Sequence, residues 1–505
     1  MKKSNTKLDN IRMQIVKGGG EARAQQQHEQ GKLTARERLA LLFDKDSFME
    51  YNVYRSDINT DDEKINGDGV ITGVGFVDGR KVCAYIQDFT VSGGTVGKDN
   101  SKKIDNIQKL AMELKVPIVS MLDSGGAKIQ DGVQALAGYG QIFKNNVLAS
   151  GVIPQISVIM GPCAGGAAYA PALTDFIFMV EDTSYMFITG PDVISTVTGE
   201  KIDKNSLGGA NVHTEKSGVA HFKCKDDKEC IKKVRELLKR LPDNSDQKVE
   251  ISKYRYNSQL DIDAFVPKNK RVIYDMKVLI NAIFDENSLI EIQEDYAKNI
   301  VTALATIKGI TVGVVANQPT HLAGSLDING CDKASRFVNF CSLFNIPIIN
   351  FVDIPGYMPG RDQETSGIIR HGAKMLYAYS KSNVPKMTVI VRKAYGGAYL
   401  GMCSKETGAD YVVAWDNAEI AVMGAEGAVR ILNKKEINNS DNPEELVQEK
   451  TKEYNEKFLN PYYGAKLGYI DNIIKPEETR LCVYNFVRLH YDREVNQVKS
   501  GNFPV

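Results

Sequence analysis

The chain has 505 residues, of which 43% are hydrophobic and 25% charged, a composition typical of globular proteins. Its length is too great for one hydrophobic core, so we expect two or more domains. Its 63 lysine and arginine residues equal its 63 aspartate and glutamate residues, which argues against nucleic acid or an anionic membrane as partner.

The N-terminal residues, Met1 to Arg36, are charged and rich in glutamine, with no apolar stretch of signal-peptide length. The longest apolar runs elsewhere have the length of buried strands, so we expect a soluble, cytoplasmic protein. The eight cysteines form no Cys-x-x-Cys pair, and we interpret them as reduced structural thiols. No metal site is expected in this chain.

The first helix with clear signals is predicted over Lys32–Phe43. Thr34 is a plausible N-cap, and the leucines that follow are at helical spacing. We interpret this segment as a docking or packing helix.

Short runs rich in valine and isoleucine then alternate with segments compatible with helices, such as Ser101–Leu114 and Asp332–Phe344. Such runs, ending in glycine, are typical of parallel strands that are buried on both faces and joined by crossover helices. The pattern predicts an α/β fold.

Four of these predicted strands end in glycine-rich segments: Leu122–Val133, Met160–Leu173, Val352–Glu364 and Arg392–Met402. A strand that stops at glycine and enters an alanine-rich helix leaves backbone N–H groups without partners at the positive end of the helix dipole. Such a turn binds a phosphate or an oxyanion. The sequence lacks a Walker-type Gly-Lys-Ser/Thr and a G-x-G-x-x-G at these points, which favours oxyanion stabilisation over the alternative of close helix packing alone.

The two halves of the chain share landmarks at a nearly constant offset. The offset is 230 residues for four pairs and 231 for two: Gly79 and Gly309, Gly94 and Gly324, Lys103 and Lys333, Pro117 and Pro347, then Pro154 and Pro385, Gly165 and Gly396. We therefore expect two tandem homologous domains, residues 1–250 and 251–505, with the boundary in the polar stretch 241–271.

The sequence does not support a serine hydrolase or a zinc protease. The sequence contains no Gly-x-Ser-x-Gly and no His-Glu-x-x-His, and its six histidines do not pair at ligand spacing. His213, His221 and His371 are interpreted as structural. Backbone donors without titrating side chains suit enolate formation beside a thioester, where the charge develops on one oxygen.

Nine segments together resemble the carboxyltransferase subunit of biotin-dependent acyl-CoA carboxylases and decarboxylases, over nearly the whole chain. They are "GKLTARERLALLFD", "QDFTVSGGTVG", "DSGGAKIQDGVQALAGYGQIF", "GVIPQISVIMGPCAGGAAYAPALTDF", "SGVAHF", "GIIRHGAKMLYAYS", "RKAYGGAYLGMCSKETGAD", "EIAVMGAEGAV" and "NPYYGAKLGYIDNII". The resemblance implies two crotonase-like domains, a homohexamer, acyl-CoA on the first domain and biotin on the second.

The resemblance also implies roles for individual residues. The N–H groups of Gly165 and Gly166 would hold the acyl-CoA carbonyl oxygen, and those of Gly397 and Ala398 the ureido oxygen of biotin. Further substrate-binding residues would be Gly125, Gly126, Ala127, Lys128, Ala164, Tyr169 and Leu400, and further biotin-binding residues Pro355, Gly356 and Gly396.

The family's usual arginine is replaced here by Lys128, and Leu400 stands where propionyl-CoA carboxylases have aspartate. The sequence therefore leaves three possible acyl groups for the substrate, acetyl, propionyl and methylmalonyl, and propionyl-CoA and methylmalonyl-CoA are favoured. The sequence has no Ala-Met-Lys-Met biotinylation site, so the implied partners are a biotin carboxyl carrier protein and either a biotin carboxylase or a membrane decarboxylase subunit.

The alternative function is a crotonase-type acyl-CoA hydratase or isomerase that works without biotin. It would need an acidic residue beside the first oxyanion hole, and the segment Ala164–Ala172 offers none.

Overall fold

The chain divides into two units after Lys248, and Asn502 near its end belongs with the first unit. We call these unit 1 and unit 2. The computed structural model describes residues 6–55, 67–256, 261–267, 269–270, 272–493 and 501–502. Within these ranges, no helix is long and apolar enough to cross a membrane.

Unit 1 contains helices and strands in alternation. Its helices are α1 (Lys7–Lys17), α2 (Glu21–Glu29), α3 (Ala35–Leu42), α4 (Asn100–Leu114), α5 (Val133–Ala149), α6 (Gly166–Ala172), α7 (Pro191–Thr198), α8 (Lys204–Gly208) and α9 (Asp227–Leu238). Its strands are β1 (Met49–Tyr51), β2 (Val70–Val77), β3 (Arg80–Gln87), β4 (Ile118–Ser124), β5 (Gln155–Ala164), β6 (Phe176–Val180), β7 (Tyr185–Phe187) and β8 (Phe222–Cys224).

Unit 2 follows the same plan. Its helices are α10 (Met276–Ile283), α11 (Ile328–Leu343), α12 (Arg361–Ser366), α13 (Ile368–Lys381), α14 (Gly396–Gly401), α15 (Ala425–Leu432), α16 (Lys434–Asn438), α17 (Pro443–Phe458), α18 (Pro461–Lys466) and α19 (Thr479–His490). Its strands are β9 (Ile290–Ile292), β10 (Ile300–Ile307), β11 (Ile310–Asn317), β12 (Ile348–Ile354), β13 (Lys386–Tyr395), β14 (Tyr411–Trp415), β15 (Glu419–Ala421) and β16 (Asn472–Ile474).

The predicted helices are confirmed with small shifts at their ends. Helix α3 begins at Ala35, directly after the predicted N-cap Thr34: the Glu37 N–H donates to the Thr34 hydroxyl, and the Glu37 carboxylate accepts from the Thr34 N–H. Helices α4 and α11 cover the two crossover segments predicted after the β-rich runs.

Each unit is built on one sheet, eight-stranded in the described part of the chain. In unit 1 the order is β1-β2-β3-β4-β5-β6-β8, and β7 pairs with β5. In unit 2 it is β9-β10-β11-β12-β13-β14-β16, and β15 pairs with β13. The first three strands of each order are antiparallel and the others are parallel. All residues of β4 and β12 are buried, as expected for parallel strands covered on both faces.

The central parallel pair of each sheet has a register shift near its carboxyl end. In unit 1 the shift between β4 and β5 falls between Leu122 and Ser124, and Asp123 lies inside it. In unit 2 the shift between β12 and β13 falls between Val352 and Ile354, and Asp353 lies inside it. Beyond each shift, β5 and β13 leave β6 and β14 and pair with β7 and β15. The glycine-rich segments therefore begin where the sheet splits.

A turn before α4 packs against this split. Gly93 and Gly94 both have positive φ, 64° and 61°. A Cβ on Gly94 would lie 2.2 Å from the carbonyl oxygen of Asp123, whereas a Cβ on Gly93 would meet its nearest atom, in Phe89, at 4.0 Å. We expect Gly93→Ala to cost about 1 kcal/mol of unfolding free energy, from backbone strain alone.

Gly94→Ala carries the same strain plus the overlap with Asp123, and we expect it to cost about 1–3 kcal/mol more. Thermal unfolding of the two variants measures the difference. Equal melting temperatures would show that the close approach of Gly94 to Asp123 does not affect the free energy of unfolding.

Candidate active site

The segment after β4, Ser124–Lys128, is held by its own backbone, and we call it the β4 turn. The Gly125 N–H donates to the Gly93 carbonyl at 2.9 Å, and the Gly126 N–H to the Ser124 hydroxyl at 3.1 Å. The Lys128 N–H donates to the Val96 carbonyl at 2.8 Å. The amides of Gly125, Gly126 and Lys128 are therefore occupied by bonds that hold the turn in shape.

The segment after β5, Ala164–Ala167, is the β5 turn. It lies next to the β4 turn, because a Cβ on Gly126 would be 2.9 Å from the Ala164 carbonyl oxygen. Gly165 has φ 62°, which turns the chain into α6. The predicted site residues of unit 1 are thus brought together at the carboxyl end of β4 and β5. Tyr169, one turn into α6, is 49% exposed.

The role expected for the Gly165 N–H is wrong. This N–H donates to the Phe187 carbonyl at 3.0 Å, which extends the parallel ladder between β5 and β7 by one bond. An amide used in a strand ladder cannot also hold an oxyanion. The donors that remain at this point are Gly166 and Ala167, since they are the first two residues of α6 and have no carbonyl one turn earlier within the helix.

Helix α6 starts above an aromatic ring. A Cβ on Gly166 would lie 3.3 Å from the ring of Tyr139, which α5 contributes. Tyr139 is buried, and its burial raises the pKa of its hydroxyl. Contact with this ring sets how close the first turn of α6 lies to α5, and therefore where its N–H groups are placed.

The segment after β13, Tyr395–Ala398, is the β13 turn, and it repeats the β5 turn. Gly396 has φ 60°, and α14 begins there. Gly397 and Ala398 follow within the first turn, where N–H groups lack an intrahelical partner. Gly397 is exposed and Ala398 is buried. Leu400, further along α14, is 40% exposed.

The segment after β12, Ile354–Met358, is the β12 turn, and it repeats the clasp of the β4 turn. The Leu326 N–H donates to the Gly356 carbonyl at 3.2 Å, and the Met358 N–H to the Leu326 carbonyl at 2.7 Å. In unit 1 the Val96 N–H likewise donates to the Gly126 carbonyl. Pro355 and Gly356 are half-buried, and Gly356 lies within this clasp. Tyr357 occupies the place that Ala127 has in unit 1.

The ring of Tyr357 lies under α14. A Cβ on Gly397 would be 3.8 Å from the ring, and a Cβ on Gly401 would be 2.8 Å from its hydroxyl. Burial raises the pKa of Tyr357 to about 12. Each helix start therefore has an aromatic ring beneath it, although α5 provides the ring in unit 1 and the β12 turn provides it in unit 2.

Sequence reasoning missed the buried charges at the register shifts. Asp123 accepts hydrogen bonds from the Lys32 ammonium at 3.1 and 3.2 Å and from the Arg38 guanidinium at 2.9 Å. Burial lowers the pKa of Lys32, and Asp123 opposes that change. Asp353 accepts from the Arg392 guanidinium at 2.8 Å. The repeated "LD" and "VD" before the glycines signalled the two aspartates, but no local pattern signalled their partners.

The histidines named above are bound to neighbouring groups. The imidazole Nε2 of His213 is 2.6 Å from the Met186 carbonyl oxygen, and burial lowers the pKa of His213. His371 Nδ1 lies 2.7 Å from Asp332. His221 Nδ1 accepts from the Ile177 N–H. These contacts are those of structural histidines.

A family model described as "Carboxyl transferase domain" matches residues 26–503. The alpha subunit of methylmalonyl-CoA decarboxylase from Veillonella parvula is 51% identical over 500 residues, which are 97% of each chain. The carboxyltransferase subunit of propionyl-CoA carboxylase from Haloferax mediterranei is 49% identical over 503 residues, 98% of each chain.

A crystal structure of transcarboxylase 12S, a hexamer with methylmalonyl-CoA and methylmalonic acid bound, superimposes with a TM-score of 0.95. It is 46% identical and covers 99% of this chain and 97% of its own. The family resemblance and the α/β fold of crotonase-like domains expected from the sequence are thereby confirmed.

The buried hydroxyl of Tyr357 has no hydrogen-bond partner in the described part of the chain. Tyr357→Phe removes an unsatisfied polar group and keeps the ring under Gly397. We expect the free energy of unfolding to be unchanged or to rise by about 1 kcal/mol. Tyr357→Ala removes the ring and should cost about 3 kcal/mol. Melting temperatures of both variants test this, and a large loss in the phenylalanine variant would contradict it.

Proposed function

Because the chain belongs to the carboxyl transferase family, we propose that it moves a carboxyl group between biotin, carried by a partner protein, and an acyl-CoA. It is an acyl-CoA carboxyltransferase, the transferase component of a biotin-dependent carboxylase or decarboxylase. The similarity that supports this covers 97% and 98% of the two relatives and 97% of transcarboxylase 12S.

The observation that carries the proposal is the repeated helix start beyond the sheet split. Gly166 and Ala167 open α6, and Gly397 and Ala398 lie in the first turn of α14. Each pair offers N–H groups at the positive end of a helix, where negative charge on an enolate or ureido oxygen is stabilised. One such pair per unit matches a reaction with two anionic intermediates.

We assign acyl-CoA to unit 1 and biotin to unit 2. The residues of unit 2 leave room for a ring with a ureido oxygen. A Cβ on Gly356 would meet no atom within 4 Å, so the β12 turn leaves open space, and Pro355 beside it is half-buried. Gly397 and Ala398 would hold the ureido oxygen, and Gly396 provides the bend before them. When bound, biotin supplies the nitrogen that carries the carboxyl group.

In unit 1 we assign the β4 turn, from Gly125 to Lys128, to the acyl-CoA channel, with Ala164 and Tyr169 beside the thioester. Leu400 stays a predicted substrate-binding residue. Propionyl-CoA and methylmalonyl-CoA are the favoured substrates, in keeping with the two relatives compared above. The partners would be a biotin carboxyl carrier protein and either a biotin carboxylase or a membrane decarboxylase subunit. A homohexamer and a cytoplasmic location stay predictions.

The hydratase or isomerase alternative finds no support at the β5 turn. Asp123 is buried and bound to two cations. Such an enzyme needs a carboxylate free to exchange a proton with substrate.

A pair of substitutions at Gly166 tests the proposal. Proline is accepted at the first position of a helix but lacks the N–H, whereas alanine keeps the N–H and adds the same Cβ against Tyr139. We expect Gly166→Pro to lower kcat for carboxyl transfer from methylmalonyl-CoA to free biotin by about 100-fold or more. Gly166→Ala should stay within about 10-fold of the parent, because the donor remains.

Melting temperature and molecular mass of both variants serve as controls for folding and assembly. Equal activity of the two variants would remove the Gly166 donor from the mechanism. Hydration of crotonyl-CoA by the parent chain, without transfer to biotin, would favour the alternative function.

A further inference from the structure

Each unit has a buried aspartate at the same place in the fold, and the cations that pair with it come from different parts of the chain. Asp123 and Asp353 are 230 positions apart, and both lie inside the register shift of the central strand pair. Their backbone N–H groups also match, because Asp123 donates to the Gln87 side chain and Asp353 to the Asn317 side chain, each at 3.2 Å. The two carboxylates therefore have the same place in the fold.

In unit 2 the neighbouring strand supplies the cation. Arg392 of β13 donates to Asp353 at 2.8 Å and to the Val272 carbonyl at 2.7 Å, and its guanidinium lies 4.7 Å from the ring centre of Tyr274. Both charged side chains are 3% exposed. This ion pair joins β12 to β13 directly.

In unit 1 the position equivalent to Arg392 is Gly161, and a side chain there has no room. A Cβ on Gly161 would lie 1.9 Å from the Asp123 carboxylate. The cations come instead from helix α3 and from Lys32 just before it. Arg38 of α3 bridges Asp123, the Met160 carbonyl and Asp227, and Lys32 completes the cluster.

Lys32 and Arg38 contact different elements besides Asp123. Both hydrogen bonds of its ammonium go to Asp123, and the ammonium also lies 4.6 Å from the ring centre of Phe89. Phe89 begins the turn whose Gly93 carbonyl accepts from the Gly125 N–H. Lys32 thus touches both segments that hold the β4 turn, while Arg38 also fixes α9 and β5.

We infer that Lys32 is a positioning residue of the acyl-CoA half of the site, which it fixes by tying Asp123 and the Phe89 turn together. This inference rests on the proposed function for its effect on catalysis, but its structural part does not. Displacement of a substrate-positioning segment by 1 Å can cost about 100-fold in rate. The segment that carries Lys32, just before α3, is therefore a component of the unit 1 site.

Amide hydrogen exchange tests the structural part without any activity. In Lys32→Met the amides of Gly125, Gly126 and Lys128 should exchange at least about 10-fold faster than in the parent protein, because the β4 turn loses its anchor. In unit 2 the amides of Met358, the equivalent of Lys128, and of Leu326, the equivalent of Val96, serve as the control and should not change. Lys32→Gln keeps one donor and should give a smaller change in the same direction.

Steady-state carboxyl transfer to free biotin tests the catalytic part. Lys32→Met should lower kcat at least about 10-fold and leave the KM for biotin unchanged, with Lys32→Gln between it and the parent. The inference is overturned by unchanged exchange at the β4 turn, or by equal loosening of both units with a lowered melting temperature, which would make Lys32 a general stability residue. If the parent protein transfers no carboxyl group, the proposed function fails, and the exchange experiment still decides the role of Lys32.

Discussion

A buried carboxylate at the break of a parallel ladder is the constraint on which each unit depends. Asp123 and Asp353 lie where the central strands shift register, and from this point β4, β5, β12 and β13 run out into their glycine turns. A buried carboxylate without a partner costs several kcal/mol, so each aspartate requires a cation at that depth. The side chain that supplies the cation then also fixes how the two strand ends stand relative to each other.

The cation that pairs with the buried aspartate comes from a different place in each unit, so the two glycine turns depend on different parts of the chain. In unit 2 the ion pair is local to the sheet, since Arg392 lies on the strand next to Asp353. In unit 1 the pair depends on residues 91 and 85 positions before Asp123. The β4 turn is thus coupled to the docking of the N-terminal segment, whereas the β12 turn is held within its own sheet.

The sequence predicted what is local or repeated. The glycine and proline landmarks identified two homologous halves, and the alternation of apolar runs with helical segments identified the α/β class. It misassigned the Gly165 amide, because its partner Phe187 belongs to a three-residue strand 22 positions later, with no pattern that marks its pairing to β5. The cations Lys32 and Arg38 were missed for the same reason. Non-local pairings depend on the assembled sheet, which local spacing does not encode.

The aromatic rings beneath the two helix starts come from different elements of the repeated unit. Under α6 the ring comes from Tyr139 on a helix, and the β4 turn keeps the small residue Ala127. Under α14 the ring comes from Tyr357, which stands at the position of Ala127. Both arrangements support N–H groups at the same point of the fold. The two turns differ by a whole aromatic side chain, so a cavity shaped by one turn cannot have the shape of a cavity shaped by the other.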